Sequence, residues 1–420
     1  MKGSMRFIWN LLFILILFAA LFAYAMFQGG FTSWFLFFGF LPIFLYQLAF
    51  LFYPLRHWKL ERDISAETVR AGDTVTVKVR IERRFPFPLF YCIFEEVFPE
   101  GLHKKDEQQR KYRYMAHPQK SRMVRDVKRA VFPSFRRRFE FSYELKDLPR
   151  GVHDLNGVKV RTADLFGLVR KEYLFPVKDQ LNVYPAEVPI QLADKWSSLG
   201  EGSAASSRTW NHSNIATGAR EYAPGDKVAW IDWKQTARRN EIMTKEFEQE
   251  KGTDILLVLN SCWHQGMNML AYEAAVEVAA SLLAFIRRES AQAGLLIVGE
   301  ESICFPVHEE EQASRAAQQL AKIQPSRSGP FVWKLKEEIF RLKEENVILF
   351  ITTQLDEGWI QTIQPMKARS KQVVILFVQA SAWVSERERN LANQMKMEGV
   401  EVIAVTEDHL LQSPVKVEGV

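Results

Sequence analysis

Two uncharged apolar runs, residues 7–27 and 31–53, constrain this chain more than any other feature of its sequence. Each run exceeds the roughly 20 residues that an α-helix needs to cross the hydrocarbon core of a bilayer. Only Gln28, Gly29 and Gly30 separate them. So short a link permits an antiparallel hairpin with both outer ends on one side of the membrane. We therefore predict a two-helix transmembrane hairpin over residues 1–55, with helices at about 7–27 and 31–53.

Basic residues flank both outer ends of the predicted hairpin. They are Lys2, Arg6, Arg56, His57, Lys59 and Arg62. Basic residues near the ends of transmembrane segments favour the cytoplasmic side, so we predict a multi-pass protein of the cell membrane with cytoplasmic soluble domains. A competing interpretation is a cleaved signal peptide, because Ala23-Tyr24-Ala25 has the small-x-small form of a cleavage site. Both interpretations place the soluble portion in the cytoplasm.

The composition limits the classes of protein to which the soluble part of the chain could belong. A chain of 420 residues that is 47% hydrophobic is long enough for a membrane part and two soluble domains. Its three cysteines, Cys92, Cys262 and Cys304, form no CxxC pair, so the sequence predicts neither a disulfide framework nor a zinc finger. The net charge of +5 is small and no recognised nucleic-acid-binding motif is present. We therefore predict no nucleic-acid partner.

Residues 60–190 alternate apolar and polar side chains with a period of two. Val75, Val77, Val79 and Ile81 mark one such run, and the periodicity predicts strands that bury one face. Turn residues separate the runs, and no long helical pattern lies between them. We therefore predict an antiparallel β-sandwich over residues 60–190.

Basic residues cluster inside this β-rich region. They are Lys128, Arg129, Arg136, Arg137 and Arg138. One interpretation is a surface that faces anionic lipid headgroups, because the region follows the membrane anchor closely. The other interpretation is a solvated loop and strand edge. The sequence leaves both open.

A polar linker and a dense motif occupy residues 191–250. The motif has three blocks, Gly218-Ala219-Arg220-Glu221-Tyr222-Ala223-Pro224-Gly225-Asp226, Ile231-Asp232-Trp233 and Ala237-Arg238-Arg239. It resembles the signature of the domain of unknown function fifty-eight, a prokaryotic family whose members resemble von Willebrand factor A domains. The resemblance extends over the whole chain, including the hairpin. It departs at Ala229, where the family pattern usually has an arginine.

The residue types in this motif predict a structural or protein-docking role. Pro224, Gly225 and Asp226 are typical of a turn. We expect Trp233 and the arginines to pin this loop through buried packing and forked hydrogen bonds; the alternative is a charged docking surface or an anion site. The signature residues are Arg220, Glu221, Tyr222, Gly225, Asp226, Ile231, Trp233, Ala237 and Arg238.

Residues 251–420 alternate apolar strands with helical patterns. This order predicts a parallel α/β sheet of the Rossmann-like class, and the family resemblance implies a von Willebrand A-like domain. The predicted strands are residues 255–259, 295–298, 347–351, 373–378 and 402–405.

The loop after the first of these strands is the predicted site. In von Willebrand A domains the corresponding loop resembles Asp-x-Ser-x-Ser and helps to bind magnesium. Here Asn260 stands at the position of the aspartate, and Cys262 and His264 stand at the positions of the two serines. Thr353 follows a later strand. Magnesium prefers hard oxygen ligands with carboxylate charge. We therefore predict a degenerate site with no metal, no cofactor and no catalytic residue. The alternative is a soft-metal or catalytic site formed by Cys262 and His264 with Thr353 and Asp356.

The leading functional hypothesis is a bacterial, membrane-anchored, non-enzymatic adaptor. The family resemblance implies two partners, a MoxR-type AAA+ ATPase and a transglutaminase-like membrane protein, and hence an envelope-related or assembly process. One alternative is a metal-dependent sensor or enzyme that uses residues 260–264. A second alternative is a protein that binds anionic lipid through its basic stretch.

Overall fold

The computed structural model divides into two compact units. The first comprises Met1–Lys105 and Met123–Val183, and the second comprises Asp106–Arg122 and Tyr184–Val420. The second unit therefore includes Asp106–Arg122, a segment inside the range predicted for the β-sandwich. The structure describes residues 2–192, 216–222, 231–239, 241–247, 255–288, 293–307, 310–327, 329–339 and 347–417.

The first unit begins with the predicted helical hairpin, α1 (Lys2–Gln28) and α2 (Phe31–Phe52). Both helices are long and apolar enough to span a membrane, and most of their apolar surface is exposed. Among the described residues a third helix, Met269–Arg288, meets the same length and hydropathy criteria, but 78% of its apolar window is buried inside the second unit. The two predicted helices are thus confirmed as apolar helices long enough to span a membrane, and Met269–Arg288 is a core helix.

The rest of the first unit contains three sheets, with antiparallel pairing at β1-β3-β6, β10-β7 and β5-β4-β8-β9. Their orders are β1-β3-β6, β2-β10-β7 and β5-β4-β8-β9. Val75, Val77, Val79 and Ile81 are buried along β3, as their period predicts. The region is therefore a β-rich body with three sheets, and the predicted antiparallel β-sandwich describes it only in part. The strands are β1 (Lys59–Ile64), β2 (Thr68–Arg70), β3 (Val75–Glu82), β4 (Cys92–Glu96), β5 (Lys128–Val131), β6 (Arg138–Leu145), β7 (Gly151–Leu155), β8 (Val158–Ala163), β9 (Arg170–Phe175) and β10 (Asp179–Tyr184).

One buried arginine joins all three sheets. Arg62 on β1 donates to Glu96 on β4 at 2.8 Å, to Asp179 on β10 at 2.8 Å and to the carbonyl of Leu155 on β7 at 3.2 Å. Its side chain is inaccessible to solvent. A planar guanidinium with several donors can satisfy these acceptors at once, so Arg62 stabilises the packing of the sheets as well as their pairing.

The second unit contains a six-stranded sheet in the order β16-β15-β14-β17-β18-β19. All neighbours are parallel except β15 and β16, which are antiparallel. The five predicted strands are present, and the edge strand β16 was not predicted. The strands are β14 (Ile255–Asn260), β15 (Ala293–Val298), β16 (Ser302–Val307), β17 (Val347–Thr352), β18 (Gln372–Val378) and β19 (Glu401–Val405).

Helices and two short strand pairs complete the second unit. The pairs are β11 (Ile190–Leu192) with β20 (Val415–Val417), and β12 (Ala216–Glu221) with β13 (Met243–Phe247). The helices are α3 (Trp233–Arg239), α4 (Met269–Arg288), α5 (Glu310–Lys322), α6 (Phe331–Ile339), α7 (Gly358–Lys367), α8 (Glu386–Met397) and α9 (Glu407–Leu410).

The segment Asp106–Arg122 is held on α4 by buried charge. Lys111 pairs with Asp106 at 2.6 Å and with Glu277 of α4, and the hydroxyl of Tyr112 donates to the same glutamate. The amide of Asn268 donates to the carbonyl of Met115 at 2.8 Å. Burial raises the pKa of Glu277, while the neighbouring ammonium of Lys111 opposes that shift, so Lys111 favours the charged form of this buried carboxyl group.

Replacement of Arg62 by alanine should lower the free energy of unfolding by about 3–5 kcal/mol, because it leaves the buried Glu96 carboxylate uncompensated. Arg80→Ala is the matched control, since Arg80 pairs with Asp63 on the exposed face of the same sheet and such pairs contribute at most about 1 kcal/mol. Urea denaturation of the full chain in detergent measures both. Equal losses for the two variants would contradict the structural role of Arg62.

Candidate functional site

A cavity of about 440 Å³ lies beyond the carboxyl ends of β14 and β17. From β14 the chain continues to β15 and β16, which lie on one side of β14 within the sheet. It then returns to β17, which pairs with the other edge of β14. In open α/β sheets such a reversal leaves a crevice in which ligands bind. The lining includes Asn260, Cys262 and His264 from the predicted loop. The structure therefore places three of the predicted site residues in one cavity wall.

Asn260 acts as a bridge between two strand ends. Its side-chain amide donates to the hydroxyl of Thr352 at 3.0 Å, and its side-chain oxygen accepts the backbone N–H of Cys262 at 2.9 Å. The residue is buried. The hydroxyl of Thr352 in turn donates to the carbonyl of Gln354 at 3.0 Å. The amide at the start of the loop thus fixes the loop to β17.

The rest of the loop is held by backbone pairing. Cys262 is buried, its thiol lies 3.7 Å from the carbonyl of Val298, and the backbone N–H of Trp263 donates to Ser326 at 2.8 Å. A ring nitrogen of His264 lies 3.4 Å from the hydroxyl of Thr353. Burial lowers the pKa of His264, which favours a neutral imidazole.

Asp356 follows the end of β17 and contributes a carboxyl group to the lining of the cavity. Burial raises the pKa of Asp356, while the backbone N–H groups of Gly358 and Trp359 oppose that shift. These N–H groups belong to the first turn of α7, which favours a nearby carboxylate. Among the described residues, no group of three or more His, Cys, Asp or Glu side chains is arranged to hold a metal ion. The predicted loss of metal binding therefore rests on donor chemistry, namely an engaged amide, a thiol and an imidazole.

A cation and an aromatic ring lie at the rim of the cavity. The guanidinium carbon of Arg327 is 4.9 Å from the ring centroid of Trp263. Both side chains line the cavity, together with Phe331 of α6. Stacked Arg and Trp side chains combine a large apolar contact area with a positive charge. Sequence reasoning missed Arg327, because no motif marks it and the chain brings it to Trp263 only through the pairing of Ser326 with Cys262.

The family signature forms a small ribbon next to α3. Tyr222 donates its backbone N–H to Ile242 at 2.9 Å, and Ile231 forms a bridge with Thr244. Trp233 is 67% exposed, so the buried packing predicted for it is wrong. Glu221, Ala237 and Arg238 are exposed as well. For Arg220 the structure describes the backbone alone, in β12; Gly225, Asp226 and Ala229 lie outside the described residues.

The predicted basic surface of the first unit separates into two parts. Lys128 lies on β5 with Arg129 and pairs with Asp126 and with Glu95 at 3.7 Å. Arg138 lies at the start of β6 and pairs with Glu82 at 2.9 Å. Arg136 and Arg137 are exposed on the preceding loop, where Arg137 donates to the carbonyl of Arg84 at 3.0 Å.

Comparison with known proteins gives one extensive similarity. The family model described as "Protein of unknown function DUF58" matches residues 218–398. The chain is 34% identical over 399 residues to "Uncharacterized protein YeaD" of Bacillus subtilis (strain 168), and the match covers 94% of each chain.

Similarities to solved structures are weak. A CARDB domain from Pyrococcus furiosus has a TM-score of 0.19 at 7% identity, over 32% of this chain and 100% of that domain. The PilB minor pilin from Streptococcus sanguinis has a TM-score of 0.26 at 8% identity, over 76% of this chain and 84% of the pilin. At such TM-scores neither similarity carries an argument about fold or function.

The three thiols should differ in reactivity with maleimide. Cys304 is exposed, whereas Cys262 and Cys92 are buried, and burial raises the pKa of Cys92 to about 11. We expect single-cysteine variants to label rapidly at Cys304 and, for the other two, only after denaturation, because the thiolate must form and be reached. Mass spectrometry of native and denatured samples measures this. Rapid native labelling of Cys262 would instead support the catalytic-thiol alternative.

Proposed function

The chain belongs to the DUF58 family, and we propose that it is a membrane-anchored, non-enzymatic adaptor whose C-terminal α/β domain docks a partner protein. The observation that carries this proposal is the Arg327–Trp263 pair at the rim of the cavity. Tryptophan and arginine are the side chains most enriched among residues that dominate binding energy in protein interfaces. A rim of this kind beside a cavity suits a protruding side chain of the partner.

The contacts of the loop favour docking over catalysis. Asn260 and Thr352 bond to each other and to neighbouring backbone groups, and the thiol of Cys262 is buried. A catalytic site needs a nucleophile or base that can reach a substrate. We propose that the domain is a degenerate von Willebrand A-like domain in which this loop acts as a rigid docking frame. The reversal of strand order at β14 and the family resemblance support this assignment.

The partner and its compartment form part of the same proposal. The basic residues that flank the hairpin favour cytoplasmic soluble domains, where an ATPase has access to them. The family resemblance implies a MoxR-type AAA+ ATPase, with a transglutaminase-like membrane protein as a second component. The function proposed is therefore recruitment of an ATPase to the inner face of the cell membrane in an envelope-related or assembly process.

Crosslinking in native membranes, followed by identification of bound proteins, tests this function. The double variant Trp263→Ala/Arg327→Ala should reduce recovery of an AAA+ ATPase by at least about 30-fold, the effect expected when two central interface residues are truncated. The matched control is Met397→Ala/Arg315→Ala, which removes one exposed apolar and one exposed basic side chain elsewhere on the second unit. Recovery of no such ATPase with the parent chain, or equal recovery with both variants, would contradict the proposal.

A further inference from the structure

We propose that three loops of the first unit, residues 84–90, 132–137 and 164–168, form a lipid-binding surface that lies in the headgroup layer of the bilayer. We call these residues the loop-tip surface. The proposal is independent of the adaptor function. It differs from the basic-stretch hypothesis because its principal groups are apolar and because Lys128 and Arg129 lie on β5, outside these loops.

The first loop is bonded to the end of α2. The hydroxyl of Tyr46 donates to the carbonyl of Pro88 at 3.0 Å, and the hydroxyl of Tyr53 donates to the carbonyl of Phe85 at 2.9 Å. The ring of Tyr46 also stacks on Phe87, with centroids 5.4 Å apart. Tyr46 lies inside the apolar span Phe31–Phe52, about 9 Å from its end at 1.5 Å per residue. The loop therefore lies at the depth of the last turns of α2.

The third loop is bonded to the same turns. The side-chain amide of Gln47 donates to the buried carboxylate of Asp164 at 3.3 Å. The other oxygen of this carboxylate accepts the backbone N–H of Val169 at 2.7 Å, and Gly167, at φ +70°, donates to the Asp164 carbonyl at 3.1 Å. This tight turn leaves Leu165 and Phe166 each 54% exposed. The buried carboxylate of Asp164 thus stabilises a turn that exposes Leu165 and Phe166 beside α2.

A buried arginine holds the middle loop beside the first. Arg83 donates to the carbonyls of Phe87 at 3.0 Å, Ser134 at 2.9 Å and Arg136 at 2.8 Å. This bracing leaves two large side chains at the surface: Phe132 is 71% exposed and Phe135 is 65% exposed. Exposed phenylalanines on adjacent loops are costly in water and mark sites of interaction.

Lys171 closes the end of α2. Its ammonium donates to the carbonyls of Leu51 at 2.9 Å and Tyr53 at 2.6 Å, which satisfies backbone acceptors that a helix terminus leaves unpaired. Because α2 ends on the β-rich body through this contact, the loops bonded to its last turns cannot withdraw from the bilayer surface unless α2 moves with them.

The charges of the loop-tip surface complement a phospholipid interface. Arg84, Arg136 and Arg137 are exposed on the same loops as the phenylalanines, and guanidinium groups bind phosphate with paired hydrogen bonds. Apolar side chains that enter the boundary between headgroups and acyl chains, with basic residues beside them, are typical of interfacial membrane binding. The occupant that fits both features at this depth is the bilayer that α2 spans.

Spin labels on the full chain test this placement. In a Cys304→Ser background, which leaves only the buried Cys92 and Cys262, labels are attached at Phe166→Cys or Phe132→Cys, and at Met397→Cys as a control. The control position is 90% exposed on the second unit. Each protein is reconstituted into bilayers of phosphatidylcholine and phosphatidylglycerol, and collision of the label with oxygen and with a water-soluble nickel complex is measured.

Lipid insertion predicts a several-fold higher oxygen-to-nickel collision ratio at both loop positions than at Met397→Cys. Two outcomes would overturn the proposal. A ratio equal to that of the control would place the loops in water, and low collision with both reagents would show that protein covers them. The measurement is repeated without phosphatidylglycerol. A fall in the oxygen-to-nickel ratio at the loop positions would show that anionic headgroups contribute. An unchanged ratio would overturn the role of Arg84, Arg136 and Arg137.

Discussion

The attachment of the last two turns of α2 to the β-rich body constrains the whole first unit. Tyr46 and Gln47 lie within a helix that is long and apolar enough to cross a bilayer, yet both bond to groups of the body, the carbonyl of Pro88 and the carboxylate of Asp164. A polar side chain in such a segment needs a partner, and here the soluble body supplies it. The position of α2 therefore fixes the position of the loops, and Arg62 extends this rigidity across three sheets.

In the second unit, side-chain hydrogen bonds fix the loop that follows β14. The side chain of Asn260 makes hydrogen bonds to Thr352 and to the backbone of Cys262, so the amide is used for fixing the strand ends. What remains at the cavity rim is Arg327 on Trp263, a pair suited to protein contact. A rigid loop with an exposed cationic and aromatic rim is the physical basis of the proposed adaptor.

The sequence predicted those parts of the fold that depend on local periodicity. The hairpin helices and the five parallel strands were found because apolar runs and alternation report burial directly. The edge strand β16 (Ser302–Val307) was missed because it contains Pro306, which is typical of strand edges and weakens a strand pattern.

Long-range partners could not be predicted. Lys111 and Tyr112 lie between Arg110 and Arg113, a pattern that suggests solvent exposure, and only the fold reveals that Glu277 pairs with the lysine in a buried site. Neutron reflectometry on supported bilayers containing the full chain tests most directly whether the β-rich body is held against the membrane. If the loop-tip surface lies at the bilayer, the density of the β-rich body begins within the headgroup layer. A water-filled layer between the headgroups and the protein would contradict it.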